Sequence, residues 1–217
     1  MAPFRDRRDA GRQLAERLLE WAGRPDVLVL ALPRGGVPVG YEIARRLEAP
    51  LDVFVVRKLG VPGHEELAMG ALASGGVRTL NHDVIQALGI SADVVESVAA
   101  RESEELKRRE REYRGDRPPA DLADRVVILV DDGLATGATM RAAATAVRSR
   151  GPKAVVVAVP VGAPEACAAM GEVADRTVCL LTPRWFSAVG AWYDDFSPTS
   201  DAEVRDLLER ASSSRAA

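Results

Sequence analysis

The chain has 217 residues, 47% of them apolar, enough to bury one sizeable core, so a single domain over 1–217 is expected. Its 29 Lys and Arg stand against 32 Asp and Glu, a near balance that leaves no broad basic field for nucleic acid or an anionic membrane. Residues 1–25 are too charged for a secretory signal, and no apolar run approaches the ~18 residues of a membrane span, so a cytoplasmic protein is expected.

In chain order, Leu14, Leu18, Leu19 and Trp21 recur at near-helical spacing and predict an amphipathic helix over Arg12–Trp21. Asp26–Leu32 is a buried strand that stops at Pro33-Arg34-Gly35-Gly36. Val37–Leu47 follows as a helix and Leu51–Val56 as a second strand. A loop is expected from Arg57 to about Met69, then short extended pieces near Ala71 and over Val77–Leu80. Ser91 caps a long charged helix that reaches Tyr113. Its pairs Glu104–Arg108, Glu105–Arg109 and Glu110–Arg114 are spaced i,i+4 and read as a solvated face. Strands over Val126–Val130, Ala154–Val159 and Thr177–Leu181 alternate with helices over Thr139–Ser149 and Pro164–Met170. Ser200-Asp-Ala-Glu203 is a capping box opening a last helix to Ala211. The alternation predicts the α/β class, with a doubly wound, mainly parallel sheet flanked by helices. Cys167 and Cys179 lack metal-ligand spacing and read as buried thiols.

The richest segment is Val127-Ile-Leu-Val-Asp-Asp-Gly-Leu-Ala-Thr-Gly-Ala-Thr139. A strand, a turn of small residues and a helix N-terminus together form an anion site, because backbone N–H groups and the helix dipole face the ligand. Two carboxylates, Asp131 and Asp132, stand beside it and would repel phosphate alone. They suit a ligand that carries hydroxyls or a cation next to its phosphate, as a ribose 5-phosphate does. A Walker loop would need a lysine in this turn, which is missing. Gly35-Gly36-Val-Pro-Val-Gly40 lacks the spacing of a dinucleotide fingerprint.

This segment resembles the thirteen-residue binding motif for phosphoribosyl pyrophosphate in type I phosphoribosyltransferases, with every position of the pattern filled. The resemblance extends from about Val27 to Val204 and is greatest to members whose acceptor is undefined. It implies the family's fold with a small C-terminal hood, here about 182–200, and a Mg²⁺-dependent transfer of ribose 5-phosphate to a nitrogenous acceptor. By the same resemblance, Asp131 and Asp132 take the ribose hydroxyls. Gly133, Leu134, Ala135, Thr136, Gly137, Ala138 and Thr139 wrap the 5′-phosphate. Arg34, Gly35 and Gly36 form the pyrophosphate loop, joined by Arg57 and Lys58, two cations that end a predicted strand. Asp131, Asp132, Arg57 and Lys58 are thus the expected catalytic set. Mg²⁺ would be held mainly by substrate oxygens near Asp131 and Asp132, not by a protein cage. His64 falls where one branch keeps a loop histidine, but the neighbouring lysine of that branch is absent, so no role is assigned to it.

Three Trp, three Tyr and four Phe are all the aromatic residues of the chain, and Trp185, Phe186, Trp192, Tyr193 and Phe196 crowd into the hood. Trp192 and Tyr193 are the expected acceptor-stacking rings, of which adjacency allows only one to face the ligand. Asp194 or Asp195 would read a donor edge of the acceptor. Several rings suit a large flat acceptor such as a purine. Members of the family are often dimeric, so a homodimer fits the resemblance. A second reading is a regulatory protein that binds phosphoribosyl pyrophosphate without turning it over.

Overall fold

The computed structural model describes residues 2–115 and 117–213, the side chains of Glu65 and Glu66 excepted. Strand β1 (Val27–Ala31), β2 (Leu51–Val53), β6 (Val126–Val130), β7 (Ala154–Val161) and β8 (Arg176–Leu181) pair in parallel in the order β2-β1-β6-β7-β8. Every residue of β1 and β6 is buried, as the unbroken apolar runs of both segments require. Alternate residues face opposite layers. Val27, Val29, Ile128 and Val130 pack with α1 (Arg7–Ala15) and α2 (Gly36–Leu47). Leu28, Leu30, Val127 and Leu129 pack with α5 (Ala138–Arg148) and α6 (Pro164–Ala169). The sheet is therefore wound on both faces, and its order reverses between β1 and β6. A crevice opens at such a reversal, beyond the carboxyl ends of the strands.

Two expectations fail in the middle of the chain. Leu51–Val56 is not one strand: β2 ends at Val53, and the chain then changes sheets. The buried Ser74 explains the break, since its hydroxyl accepts from the Val55 N–H at 2.9 Å and its own N–H donates to the Val55 carbonyl. The expected loop from Arg57 to Met69 is a hairpin, β3 (Val56–Val61) with β4 (His64–Ala73), turned at Pro62-Gly63. Gly63 supplies a positive φ of 80° there. With β5 (Val77–Leu80) the hairpin makes a separate antiparallel sheet. Arg57 and Lys58 consequently lie inside this sheet and do not end a parallel strand.

Helix α3 (His82–Ala87) leads to α4 (Ala92–Arg114), which Ser91 caps by accepting from the Val94 N–H. Leu59, Val61, Val95, Val98, Ala99 and Leu106 share a third core with α7 (Asp201–Ser213). The charged face of α4 is only partly solvated. Arg114, 6% exposed, donates to Asp52 at 2.9 and 3.0 Å, to Glu110, and to the Val53 carbonyl, tying the helix end to β2. Glu105–Arg109 forms as spaced, but Arg108 turns to Glu105 and Glu112, and Glu104 pairs with Lys107. Ser200 caps α7, its Oγ accepting from the Glu203 N–H, while the Glu203 carboxylate lies 3.7 Å from Arg8.

The hood is built from two ends of the described chain. Phe4 pairs with Tyr193 as a short parallel bridge, and the N–H groups of Asp194 and Asp195 donate to the carbonyls of Phe4 and Arg5. The Tyr193 ring packs at a tilt between Phe4 and Phe196, with ring centroids 5.3 and 5.0 Å away. The Tyr193 hydroxyl donates to the Asp132 carbonyl at 2.6 Å, which fastens the hood to the loop after β6.

Cys167 and Cys179 are not free thiols: they are bonded to each other, joining α6 to β8. Their Cα atoms lie 6.6 Å apart, within disulfide reach, because α6 packs back on the sheet edge. The loop so closed is short, and a Cys167→Ser, Cys179→Ser variant should lose about 3 kcal/mol, lowering Tm by roughly 6–12 °C in a thermal unfolding scan. Tyr193→Phe removes one buried hydrogen bond to a carbonyl and should lower the unfolding free energy by about 1 kcal/mol in urea titration.

Candidate active site

The loops after β1 and β6 flank the reversal point and touch. A Cβ on Gly35 would collide with the Asp132 carboxylate, and one on Gly36 would stand 2.6 Å from the Val130 carbonyl oxygen and 2.9 Å from Asp131 Cα. Only glycine lets the Arg34 loop lie this close to the acidic pair. Arg34 itself is half exposed, its guanidinium 3.7 Å from Asp201 at the mouth of a small cavity of about 110 Å³ that Arg108, Arg109 and Tyr113 also line. The peptide between Pro33 and Arg34 is cis.

Asp131 and Asp132 leave the end of β6 half-buried, in the crevice between the two loops. Burial pushes the Asp131 carboxyl well above the usual carboxylate range, and the neighbouring Asp132 charge adds to this. Burial also raises Asp132, but the hydrogen bond and charge of Arg7 pull the other way. Asp131 Oδ1 accepts from the Asp132 N–H at 2.8 Å, and Asp132 Oδ2 accepts from Arg7 Nε at 2.8 Å.

Arg7 is the residue that sequence reasoning missed. It opens α1 behind the N-cap Asp6, and its side chain is 11% exposed. Besides Asp132 it donates to the Ser197 carbonyl at 2.7 Å and lies 3.9 Å over the Phe196 ring. Nothing in Arg5-Asp6-Arg7-Arg8-Asp9 distinguishes it from its charged neighbours.

The turn from Gly133 to Thr139 is laid out as a cradle. Leu134 is buried and pinned, its N–H donating to the Val161 carbonyl and its own carbonyl accepting from Ala163. Gly137 takes φ 74° to start α5, backed by Met170 and Ala166 of the neighbouring helix region. Ala135, Thr136, Ala138 and Thr139 are exposed between these anchors. Among the described residues, the N–H groups of Ala135, Thr136 and Gly137 have no backbone partner, and Ala138 donates only to Thr136 Oγ1, at 3.4 Å. The first turn of α5 adds its own open N–H groups. Gly133 fits because a Cβ there would strike Val189 of the hood.

Arg57 and Lys58 are arranged differently. On a strand they point to opposite faces. Arg57 grips Glu102 of α4 at 2.6 and 2.9 Å, whereas Lys58 is exposed. The hood rings also sort themselves. Tyr193 is not available as a stacking face, being 5% exposed with Phe4 and Phe196 against it. Trp192 is half-buried, and Trp185 is 85% exposed with Arg184 near its ring. Asp194 accepts from the Ala2 N–H and Asp195 from Ser197, so both carboxylates serve the hood itself.

No helix among the described residues is long and apolar enough to cross a membrane. The phosphoribosyl transferase domain family matches residues 5–193. Two Mycobacterium tuberculosis proteins, from strains CDC 1551 / Oshkosh and H37Rv and each named "putative phosphoribosyl transferase", are 49% identical over 211 residues, 97% of this chain. The chain spans 47% of the length of those relatives. The crystal structure of TT1426 from Thermus thermophilus is 46% identical, with a TM-score of 0.85 over 95% of this chain and 98% of that one. The chain belongs to the phosphoribosyl transferase domain family and has its type I fold.

Proposed function

We propose that the chain is a Mg²⁺-dependent phosphoribosyltransferase that moves ribose 5-phosphate from phosphoribosyl pyrophosphate to a nitrogenous acceptor, a purine base fitting best. The observation that carries this reading is the contact of the Arg34–Gly36 loop with Asp131 and Asp132 at the sheet's reversal point, beside the open N–H groups of Ala135 to Gly137. The Arg34 loop, the acidic pair and the turn after it share one crevice, where they would serve as pyrophosphate binder, hydroxyl binder and phosphate cradle. In the reaction the C1′–O bond to pyrophosphate breaks, the leaving group takes the electron pair, and an acceptor nitrogen bonds C1′ and sheds a proton. Positive charge develops on the ribose, as in glycoside cleavage. The residues' task is to neutralise the departing pyrophosphate, through Arg34 and the glycine backbone, and to hold the sugar in line. Asp131 and Asp132 would hold the ribose, and Gly133 to Thr139 its phosphate.

Among the described residues no group of three or more His, Cys, Asp or Glu could hold a metal. Two adjacent carboxylates suit a Mg²⁺ ion held mostly by donor oxygens and water, whose contribution is to offset charge on the leaving group. Of the hood rings, Trp192 and the exposed Trp185 are the candidates to cover an acceptor. The ion pair of Arg57 with Glu102 favours a second reading, a sensor that binds the donor without turnover, because it takes one expected pyrophosphate cation out of play. A homodimer, compatible with either reading, would be read from sedimentation.

Mg²⁺-dependent release of pyrophosphate, assayed against a panel of bases, decides between them: release with one acceptor marks a transferase, and tight donor binding without release marks a sensor. Asp131→Asn with Asp132→Asn should lower kcat/KM by at least about a hundredfold while circular dichroism stays native. Asp131→Asn alone should unfold at a higher temperature than the wild type at pH 7. A carboxyl whose folded pKa is raised loses stability as pH climbs from the ordinary aspartate range, near ~4, toward the raised value. The amide removes that penalty and still accepts from the Asp132 N–H, so the advantage should vanish near pH ~4.

A further inference from the structure

We propose that Arg7 is a positioning residue for the donor's ribose: it fixes Asp132 by one oxygen and leaves the other facing the sugar. This rests on the donor-site reading above. Asp132 Oδ2 accepts from Arg7 Nε at 2.8 Å and lies against Gly35, in the space a Cβ there would fill. Asp131 is fixed in the same manner, its Oδ1 accepting from the Asp132 N–H. Each carboxylate therefore has one committed oxygen and one uncommitted, Asp131 Oδ2 and Asp132 Oδ1. The only buried side-chain polar atoms without a partner among the described residues are Thr177 Oγ1 and Trp192 Nε1, so both uncommitted oxygens reach solvent. Two neighbouring hydroxyls on a ribose ring each donate one hydrogen bond, and two outward oxygens on adjacent residues match that count.

Arg7 is itself anchored beyond Asp132. Its Nη1 donates to the Ser197 carbonyl at 2.7 Å, and its Cζ lies 3.9 Å from the centre of the Phe196 ring. A guanidinium so fixed cannot follow the carboxylate into another rotamer. The carboxylate is thereby set before the ligand arrives, which lowers the ordering cost of binding. Lysine offers a point charge without the fork or the stacking plane, and so should substitute only in part.

The test is calorimetry with Mg²⁺ on Arg7→Gln and Arg7→Lys, with phosphoribosyl pyrophosphate and inorganic phosphate as separate ligands. Arg7→Gln should weaken donor binding by about tenfold or more, the worth of one charge-assisted hydrogen bond, and leave inorganic phosphate binding unchanged. Arg7→Lys should fall between the two. Arg7→Gln that binds the donor as tightly as wild type overturns the proposal, as does a parallel loss of both ligands, which would mean a collapsed loop. A wild-type protein that does not bind the donor overturns the donor-site reading instead, and this inference with it. If Arg7→Gln does not fold, Phe196→Leu removes the ring beneath the guanidinium. It should weaken the donor but not inorganic phosphate, and an unchanged donor affinity would count against the proposal.

Discussion

Two neighbouring carboxylates at the end of a fully buried strand impose the main constraint on this molecule. An ionised carboxylate taken out of water without a partner costs several kcal/mol, and here two stand side by side. The surroundings answer that problem in pieces. Arg7 neutralises Asp132, the Asp132 N–H satisfies Asp131, and the Tyr193 hydroxyl takes the carbonyl between them and the cradle. Each of these groups comes from a different stretch of chain. The N-terminal segment and the hood are therefore zipped together across the crevice, with Phe4, Tyr193 and Phe196 as their shared core. Asp131, which has no cation of its own, keeps a carboxyl raised by burial and by the Asp132 charge.

A second layer of buried charge lies away from the crevice and is structural. Arg114 with Asp52, and Arg57 with Glu102, hold α4 to the end of β2 and to the hairpin, while Glu110 pairs with Arg114 within the helix. Removing one partner of such a pair leaves the other charge stranded, so these contacts fix the placement of α4 more than they add stability. They also account for the distance between expectation and structure at Arg57. The anion facing Arg57 in the structure is Glu102 of α4, whereas Lys58 is exposed.

The legible parts of the fold and site were those in which the chemistry is local in sequence. Val127 to Thr139 carries its strand, its acids and its helix start in one run, so the pattern can be read without knowing the fold. The buried strands β1, β6 and β7 were equally plain, since nothing but a two-sided sheet absorbs such apolar runs. Arg7 and Asp132 are 125 positions apart, and only tertiary packing brings them together. Cys167 and Cys179 likewise needed the return of α6 onto β8 before their pairing could be seen. The hairpin did leave a mark in the sequence, the turn pair Pro62-Gly63 after an extended stretch. Adjacent Trp192 and Tyr193 were bound to point apart. Which one turned inward depended on the aromatic partners Phe4 and Phe196, the first of them at the far end of the chain.

The close contacts around the crevice have an evolutionary consequence. At positions 35, 36, 133 and 162 any side chain would meet, respectively, the Asp132 carboxylate, the Val130 carbonyl, Val189, or the Cys167 sulfur. None of the four offers a group that could react. In a saturation library they should nonetheless behave like reactive residues, tolerating a single amino acid. Their invariance among descendants would then be steric in origin, a record of how tightly two loops and a hood were fitted together.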